Sequence, residues 1–381
     1  MIIGVPRETL PGENRVALVP DVVIKLTRRK IDVLIEKNAG LKAGYSDKEF
    51  VEAGAKITKI KTDLFNESKI ICSLNEPKFF NNDTAEKITP LDGMIHVSFM
   101  NPLVNASLME CIANAKITSF AMDMMPRISR AQAMDALSSQ ANLAGYKAVI
   151  LAADRLKKIL PMFMTAAGTI VPAKVLILGA GVAGLQAIAT AKRLGSVVYG
   201  YDIREVVKEQ IESLGGKFVK IKMEESGEGD GGYAKVLSIK TQALQRKKLG
   251  EFASDMDVVI STAQIPGRPA PRLLDIDAVK AMKPGSVVID LAAGSGGNIE
   301  GSKPDEDVKI NGVTLLGPTN LPSLLAYNSS SVYARNIASF LDIILKEDQL
   351  VLDFEDEIIK ESCITYNGQV INSHVLKLLE N

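Results

Sequence analysis

Two stretches of this chain carry residue types at spacings that could do chemistry. The first is Gly179-Ala-Gly181-Val-Ala-Gly184, set between the apolar run Lys174–Leu178 and an apolar helical pattern. In that setting the first glycine permits a tight turn and the second lets the backbone approach a pyrophosphate. The third lets helix and strand pack closely, and the helix N-terminus favours anionic phosphates. The next strand ends at Asp202, 18 residues beyond Gly184, where a carboxylate can accept from both hydroxyls of a ribose. The spacing points to a dinucleotide site, with a packing turn that holds no ligand as the alternative. Asp202 repels a 2′-phosphate and favours NAD(H) over NADP(H). Arg204 beside it would attract such a phosphate, touch the pyrophosphate, or stay a solvated charge.

The second stretch is Pro126-Arg127-Ile128-Ser129-Arg130-Ala-Gln132-Ala-Met-Asp135-Ala-Leu-Ser138-Ser139-Gln140. Ser129 and Gln132 have the S-x-x-Q spacing of a capping box at a helix start. The alternative is a polar cluster at a domain junction, facing the cofactor. His96, at the end of a buried-looking strand, is either a proton donor or a hydrogen-bonded core histidine. His374 reads as structural or exposed. The methionines of 122–125 and 162–164 read as core fillers.

The elements that must position these residues alternate between short β-branched runs and longer helical patterns, which implies βαβ units and parallel sheets. One series covers strands at 2–5, 33–35, 70–72, 94–98 and 117–120, with helices at 21–29 and at 46–53, the latter capped by Ser46. A second series has strands at 174–178, 197–201, 258–260, 286–289 and 313–316. Residues 131–160 read as one helix joining the two series. Residues 162–191 are the most apolar stretch, but Pro172, Lys174 and several glycines interrupt it, so it reads as two buried elements rather than a membrane span. After 321 come a helix at 331–345, a strand-like run at 350–353 and Asn367-Gly368 between β runs, a type I′ hairpin signal. The glycine- and serine-rich segment 224–233 reads as a mobile loop unless something holds it.

The expected fold is therefore α/β, with two Rossmann-like doubly wound parallel-sheet domains and a cleft between them. Residues 1–137 plus 322–381 would form the first domain and 138–321 the second. The composition agrees: 46% of the 381 residues are hydrophobic and no Trp is present, so the cores are aliphatic. The 45 basic residues are balanced by 45 acidic ones, which argues against a nucleic-acid partner. Three scattered cysteines without a C-x-x-C argue against a structural metal and fit a reducing compartment. Arg7 and Glu8 fall too early for a signal-peptide core.

Over nearly its whole length the chain resembles the NAD(H)-binding component of proton-translocating NAD(P) transhydrogenases. The resemblance is carried by 126–139, Asn142-Leu-Ala-Gly-Tyr146, Thr165-Ala-Ala-Gly168, 179–186, Gly231-Gly-Tyr-Ala-Lys235 and Ile265-Pro-Gly-Arg-Pro-Ala-Pro271. It implies that Arg127 and Asp135 pair and orient the nicotinamide carboxamide, with Ile128 alongside. Gln132 would reach toward a second nicotinamide, supported by Ser138. These implications displace the capping-box reading of 129–132. The dinucleotide would be held by Gly179, Gly181, Val182 and Gly184, and the adenosine ribose by Asp202 with Ile203 and Arg204. Tyr233 would sit on a closing loop hinged at Gly232, and Gln264 would line the pocket.

NADP(H) would then bind on a partner subunit, because this chain has one glycine fingerprint. Proton translocation would fall to membrane-embedded partner chains. A homodimer at the cytoplasmic face of the inner membrane is the implied setting, with no metal. Alanine dehydrogenases, which share the fold, also resemble the chain at Val5-Pro6-Arg7-Glu8 and Arg15-Val16-Ala17. Their substrate Arg is matched by Arg15. Asn75 stands at their Lys, Gly294 at their catalytic Asp, and 97–102 lacks their His. A soluble alanine dehydrogenase-like oxidoreductase and a non-catalytic NAD-sensing module are the alternatives. A mere sensor would not need the 127–135 cluster.

Overall fold

The computed structural model describes residues 1–76, 91–222, 238–265, 267–347 and 349–380. It divides into two compact units, Met1–Gln140 with Pro322–Asn381, and Ala141–Leu321.

In the first unit, β1 (Ile2–Val5), β2 (Asp32–Glu36), β3 (Lys56–Thr58), β4 (Ile70–Cys72), β5 (Ile95–Ser98) and β6 (Thr118–Ala121) are all parallel. They are ordered β6-β5-β4-β1-β2-β3. Strands β4, β5 and β6 are buried along their whole length. A parallel strand is covered on both faces, which is why Ile70-Ile-Cys72 reads as an unbroken apolar run. Helices α1 (Pro20–Arg28), α2 (Asp47–Glu52), α3 (Lys61–Glu67) and α4 (Ala106–Asn114) lie between the strands in sequence. Ser46 caps α2 in a true capping box: its hydroxyl accepts from the Glu49 amide at 3.3 Å, and the Glu49 carboxylate accepts from the Ser46 amide at 2.6 Å.

The helix expected over 131–160 is two elements. Ser129–Met134 is a 3₁₀ segment, the backbone breaks at Asp135 (φ −69°, ψ 83°), and α5 runs from Ala136 to Arg155. Ile128, Ala131 and Met134 are spaced by three, so the three-residue turn puts them on one side. That side packs into the first unit's core, with Ala131 and Met134 buried and Ile128 partly so.

The second unit has β9 (Lys174–Leu178), β10 (Val197–Tyr201), β11 (Lys217–Phe218), β12 (Val258–Ser261), β13 (Val287–Asp290), β14 (Asp307–Ile310) and β15 (Val313–Leu316). The sheet order is β11-β10-β9-β12-β13-β15-β14, parallel except for β14 at the edge. Helix α6 (Val182–Arg193) follows β9, and α7 (Lys208–Ser213), α8 (Ile239–Ala253) and α9 (Ile276–Lys280) follow in sequence. The strand order reverses direction at β9, and ligands of such sheets sit outside the strand ends at that switch point.

Ahead of β9, β7 (Phe163–Thr165) and β8 (Gly168–Ile170) form a separate antiparallel hairpin. Every residue in both strands is exposed, Met164 at 81%. The first of the two buried elements expected within 162–191 is thus an exposed ribbon, and Met162, Phe163 and Met164 are not core fillers. Met122 is buried, as a core filler should be.

The tail supplies α10 (Ala326–Ile344), α11 (Glu357–Ser362), β16 (Cys363–Tyr366) and β17 (Gln369–Val370). In α10, Tyr333, Ile337, Phe340, Leu341 and Ile344 share one buried face, the i, i+4, i+7 stripe of a core-facing helix. Each such side chain contributes about 1.5–3 kcal/mol by leaving water. Strand β16 adds antiparallel to β6 and turns into β17 through Asn367 (φ 47°) and Gly368 (φ 80°), the two left-handed residues of a type I′ turn. The strand expected at 350–353 is only a two-residue ladder of Gln349–Leu350 with Leu345–Lys346. No helix among the described residues is long and apolar enough to cross a membrane.

Candidate functional site

In the second unit the glycine turn leaves β9 and enters α6. Gly179 has φ 95°, and Thr262, at the end of β12, donates its hydroxyl to the Gly179 carbonyl at 3.1 Å. A Cβ on Gly184 would lie 1.8 Å from that same carbonyl oxygen, so only glycine lets α6 pack this closely. Gly181 differs from both. Its φ of −77° is ordinary, and a Cβ there would meet no described atom within 4 Å. The turn therefore opens a backbone-lined space at the start of a helix whose first amides have no partner inside the helix, which suits an anionic group. Val182, the first helical residue, is exposed at this edge.

Asp202 follows β10 and is tied down on both oxygens. Oδ2 accepts from the Ala180 amide at 2.8 Å, and Oδ1 from the Arg204 amide at 2.9 Å. Arg204 clasps both oxygens through Nε at 2.9 Å and Nη2 at 2.8 Å. Burial alone would raise this carboxyl, but the Arg204 guanidinium and the two amides outweigh it and hold the group below the ordinary carboxylate range. Arg204 is therefore neither a solvated charge nor poised for a phosphate: its fork is taken by Asp202, and its own pKa is raised by that bond. Ile203 between them packs on the second unit's core.

The loop after β12 is held by a residue the spacing did not single out. Asn298 is fully buried; its Oδ1 accepts from Ser261 Oγ at 2.6 Å and the Ala263 amide at 3.1 Å. Its Nδ2 donates to the carbonyls of Ala263 at 2.9 Å and Pro271 at 2.7 Å. All four hydrogen-bonding positions of the amide are used. Gln264, on this loop, donates to the Leu291 carbonyl at 3.0 Å. Thr262 and Asn298 were missed because their partners are distant in sequence. Their only local signal is Asn298 following Gly296-Gly297. Gly232 and Tyr233 lie outside the described residues, as does segment 224–233.

In the first unit the 3₁₀ segment turns Arg127 and Gln132 outward, both exposed, while Asp135 and Ser138 are partly buried. Asp135 accepts from the Ser138 amide at 2.8 Å and from its hydroxyl at 2.5 Å. Asp135 is thus the cap of α5. The capping box expected at Ser129 and Gln132 does not form, because Ser129 lies inside the 3₁₀ turn and neither side chain caps it.

His96 is 1% exposed; Nε2 bonds Ser73 Oγ at 2.8 Å, Nδ1 has no partner among the described residues, and burial pushes its pKa down to about 3. It is neutral at pH 7 and reads as a core histidine. A cavity of about 140 Å³ lies among Arg7, Glu8, Glu13, Arg15 and Lys42. There Glu13 grips the buried Arg15 at 2.8 Å and 2.6 Å, and Arg15 also reaches Gln140 at 2.9 Å. Asn75 donates to Glu8 at 2.8 Å.

Comparison with known proteins gives matches to two family models. The N-terminal domain of alanine dehydrogenase/PNT matches residues 4–144, and the C-terminal domain of the same family matches residues 148–373. An NAD(P) transhydrogenase subunit alpha chain of Rhodospirillum rubrum is 43% identical over 376 residues, 98% of each chain. The crystal structure of transhydrogenase from Sinorhizobium meliloti superimposes with a TM-score of 0.86 at 41% identity, covering 97% of this chain and all of that one. Alanine dehydrogenase of Mycolicibacterium smegmatis is more distant, at 25% identity over all of this chain and 97% of the relative.

Proposed function

Because the chain belongs to the alanine dehydrogenase/PNT family, we propose that it is the NAD(H)-binding component of a proton-translocating NAD(P)⁺ transhydrogenase. It exchanges a hydride directly with NADP(H) held on a partner subunit. The observation that carries the choice within the family is the state of the first unit's polar pocket. Arg15 is engaged by Glu13 and Gln140, Asn75 by Glu8, and His96 is buried and neutral. Reducing a carbonyl requires a proton as well as a hydride, hence an available acid. NADH + NADP⁺ → NAD⁺ + NADPH moves a hydride and no proton at the reacting centre.

The demand on the protein is then positional. The open space at Gly181 fits the pyrophosphate of NAD(H), with Gly179, Val182 and Gly184 shaping it and Asp202 holding the adenosine ribose beside Ile203 and Arg204. Bound nicotinamide supplies the site with a carbon that gives or takes hydride. Arg127 and Asp135 orient the carboxamide, Ser138 fixes Asp135, and Gln132 reaches to the partner's nucleotide. Ile128 anchors that segment to the core, and Gln264 lines the pocket. Tyr233, on a loop hinged at Gly232, closes over the nucleotide.

The partner chains are membrane-embedded and carry the NADP(H) site and the proton path. This component then lies on the cytoplasmic face of the inner membrane, held there by its partners. It works as a homodimer, a reading supported by the exposed Phe163, Met164, Ile170 and Val171 of the β7–β8 ribbon. Phe163→Ser with Ile170→Ser shifts the sedimentation coefficient from dimer to monomer; a wild-type protein that sediments as a monomer removes the dimer.

Nucleotide choice rests on Asp202. NADH binds more tightly than NADPH, and Asp202→Ala narrows the gap in a fluorescence titration; equal wild-type affinities would defeat the assignment. The runner-up, an alanine dehydrogenase, predicts NADH formation from L-alanine and NAD⁺. The purified chain is expected to give none above the uncatalysed rate, and robust formation promotes the runner-up.

A further inference from the structure

We propose that Asn336, far along the chain in α10, is a positioning residue for hydride transfer: it fixes the 3₁₀ segment that presents Gln132. The inference rests on the transhydrogenase reading of Gln132 and extends it to a residue with no place in the nucleotide site. Asn336 is buried, and its Nδ2 donates to the carbonyl of Ala133, the residue directly after Gln132, at 2.8 Å. Its Oδ1 accepts from Ser139 Oγ at 2.7 Å.

Those two bonds end a chain of donors that all point the same way. Arg15 Nη1 donates to Gln140 Oε1 at 2.9 Å, and Gln140 Nε2 donates to Ser139 Oγ at 3.4 Å. Ser139 donates to Asn336, and Asn336 to Ala133. Ser329 on α10 holds Gln140 from the other side, its hydroxyl donating to Oε1 and its carbonyl accepting from Nε2 at 3.2 Å. A run in which each donor hydrogen has one acceptor fixes the orientation of every amide and polarises along its length. Arg15, gripped by Glu13, is the charged start of the run. Its work in this chain is to hold the α5 entry rather than a substrate.

A 3₁₀ turn has poorer hydrogen-bond geometry than an α-helix and does not persist on its own. This one is held on its buried side by Ala131 and Met134, and at its exposed end by a two-fold Arg130–Asp356 pair at 2.7 Å in each bond. Asn336 holds the carbonyl between Gln132 and Met134, so its loss lets the Gln132 backbone shift while the dinucleotide cradle, in the other unit, stays as it is.

The test uses Asn336→Leu, of similar volume and without the amide, and the milder Ser139→Ala. Rapid mixing measures transfer from NADH on the full chain to NADP⁺ on a purified NADP(H)-binding transhydrogenase domain. Asn336→Leu lowers the transfer rate about tenfold, part of the ~100-fold loss that follows a 1 Å misplacement. NADH affinity stays within about twofold. Ser139→Ala gives a smaller loss of the same kind, and it serves alone if Asn336→Leu does not fold. Phe50→Leu, in the core at α2, lowers the melting midpoint without lowering transfer, which separates positioning from stability.

Paired with Gln132→Asn, the Asn336 or Ser139 change adds little further loss, because both act through one side chain. Losses that multiply, or wild-type transfer in both Asn336→Leu and Ser139→Ala, overturn the proposal while leaving Gln132 in place. Wild-type transfer in Gln132→Asn overturns the reading of Gln132 and this proposal with it.

Discussion

Gln132→Asn is expected to cut hydride transfer to NADP⁺ on the partner domain by about 100-fold, with NADH affinity nearly unchanged. The substitution keeps the amide and shortens its reach by one methylene, and a reacting pair displaced by about 1 Å loses about that factor. Affinity is spared because the glycine turn and Asp202 belong to the second unit, while Gln132 stands exposed on a segment of the first. A drop in rate without a matching drop in binding is the mark of an interaction realised only in the transition state. Rapid mixing of NADH-loaded protein with the NADP⁺-loaded domain reads the rate directly. Transfer at the wild-type rate reduces Gln132 to a surface residue. If no partner domain accepts hydride even from wild-type protein, the transhydrogenase assignment fails.

The second large effect separates two glycines three residues apart. Gly181→Ala is expected to fold with its melting temperature unchanged or slightly raised. The backbone there has φ −77° and open space around the new methyl, and a compatible Gly→Ala change stabilises by about 0.4–1 kcal/mol through the unfolded chain. The methyl instead occupies the space assigned to the pyrophosphate. Losing one or two charge-assisted contacts of about 1.5–3 kcal/mol weakens NADH binding by roughly 10- to 100-fold. Gly184→Ala does the opposite. Its methyl would sit 1.8 Å from the Gly179 carbonyl, so α6 must move off β9. Overpacking of this kind costs about 1–3 kcal/mol or more, and the melting temperature falls with binding. Calorimetry and NADH titration on both variants distinguish the cases. Gly181→Ala binding NADH normally would take the pyrophosphate away from this turn.

Much of the fold was legible because its signals are local. A glycine fingerprint, a strand before it and an acid after the next strand lie within 29 residues, Lys174 to Asp202, and each constrains its neighbours through backbone sterics and burial. The Ser46–Glu49 cap and the Asn367-Gly368 turn are local in the same way, each complete within four residues. The roles of 127–138 were not legible from spacing. Ser-x-x-Gln satisfies the pattern of a cap, and only resemblance to a family pointed elsewhere.

What the sequence alone determined, then, is the pair of parallel-sheet series, the glycine turn and the carboxylate that follows it. Only the tertiary structure decided that 129–134 winds as a 3₁₀ turn, since Ile128, Ala131 and Met134 can share a face in more than one helix and the core chose the three-residue period. It also decided that 163–170 stands out as an exposed ribbon, which composition cannot distinguish from a buried strand. Asn298 reaches back 35 residues to Ala263, and Asn336 reaches back 203 to Ala133. A buried amide is satisfied by whichever groups the packed chain brings to it, and that meeting exists only after the sheets have formed and the tail has laid α10 against the 3₁₀ segment.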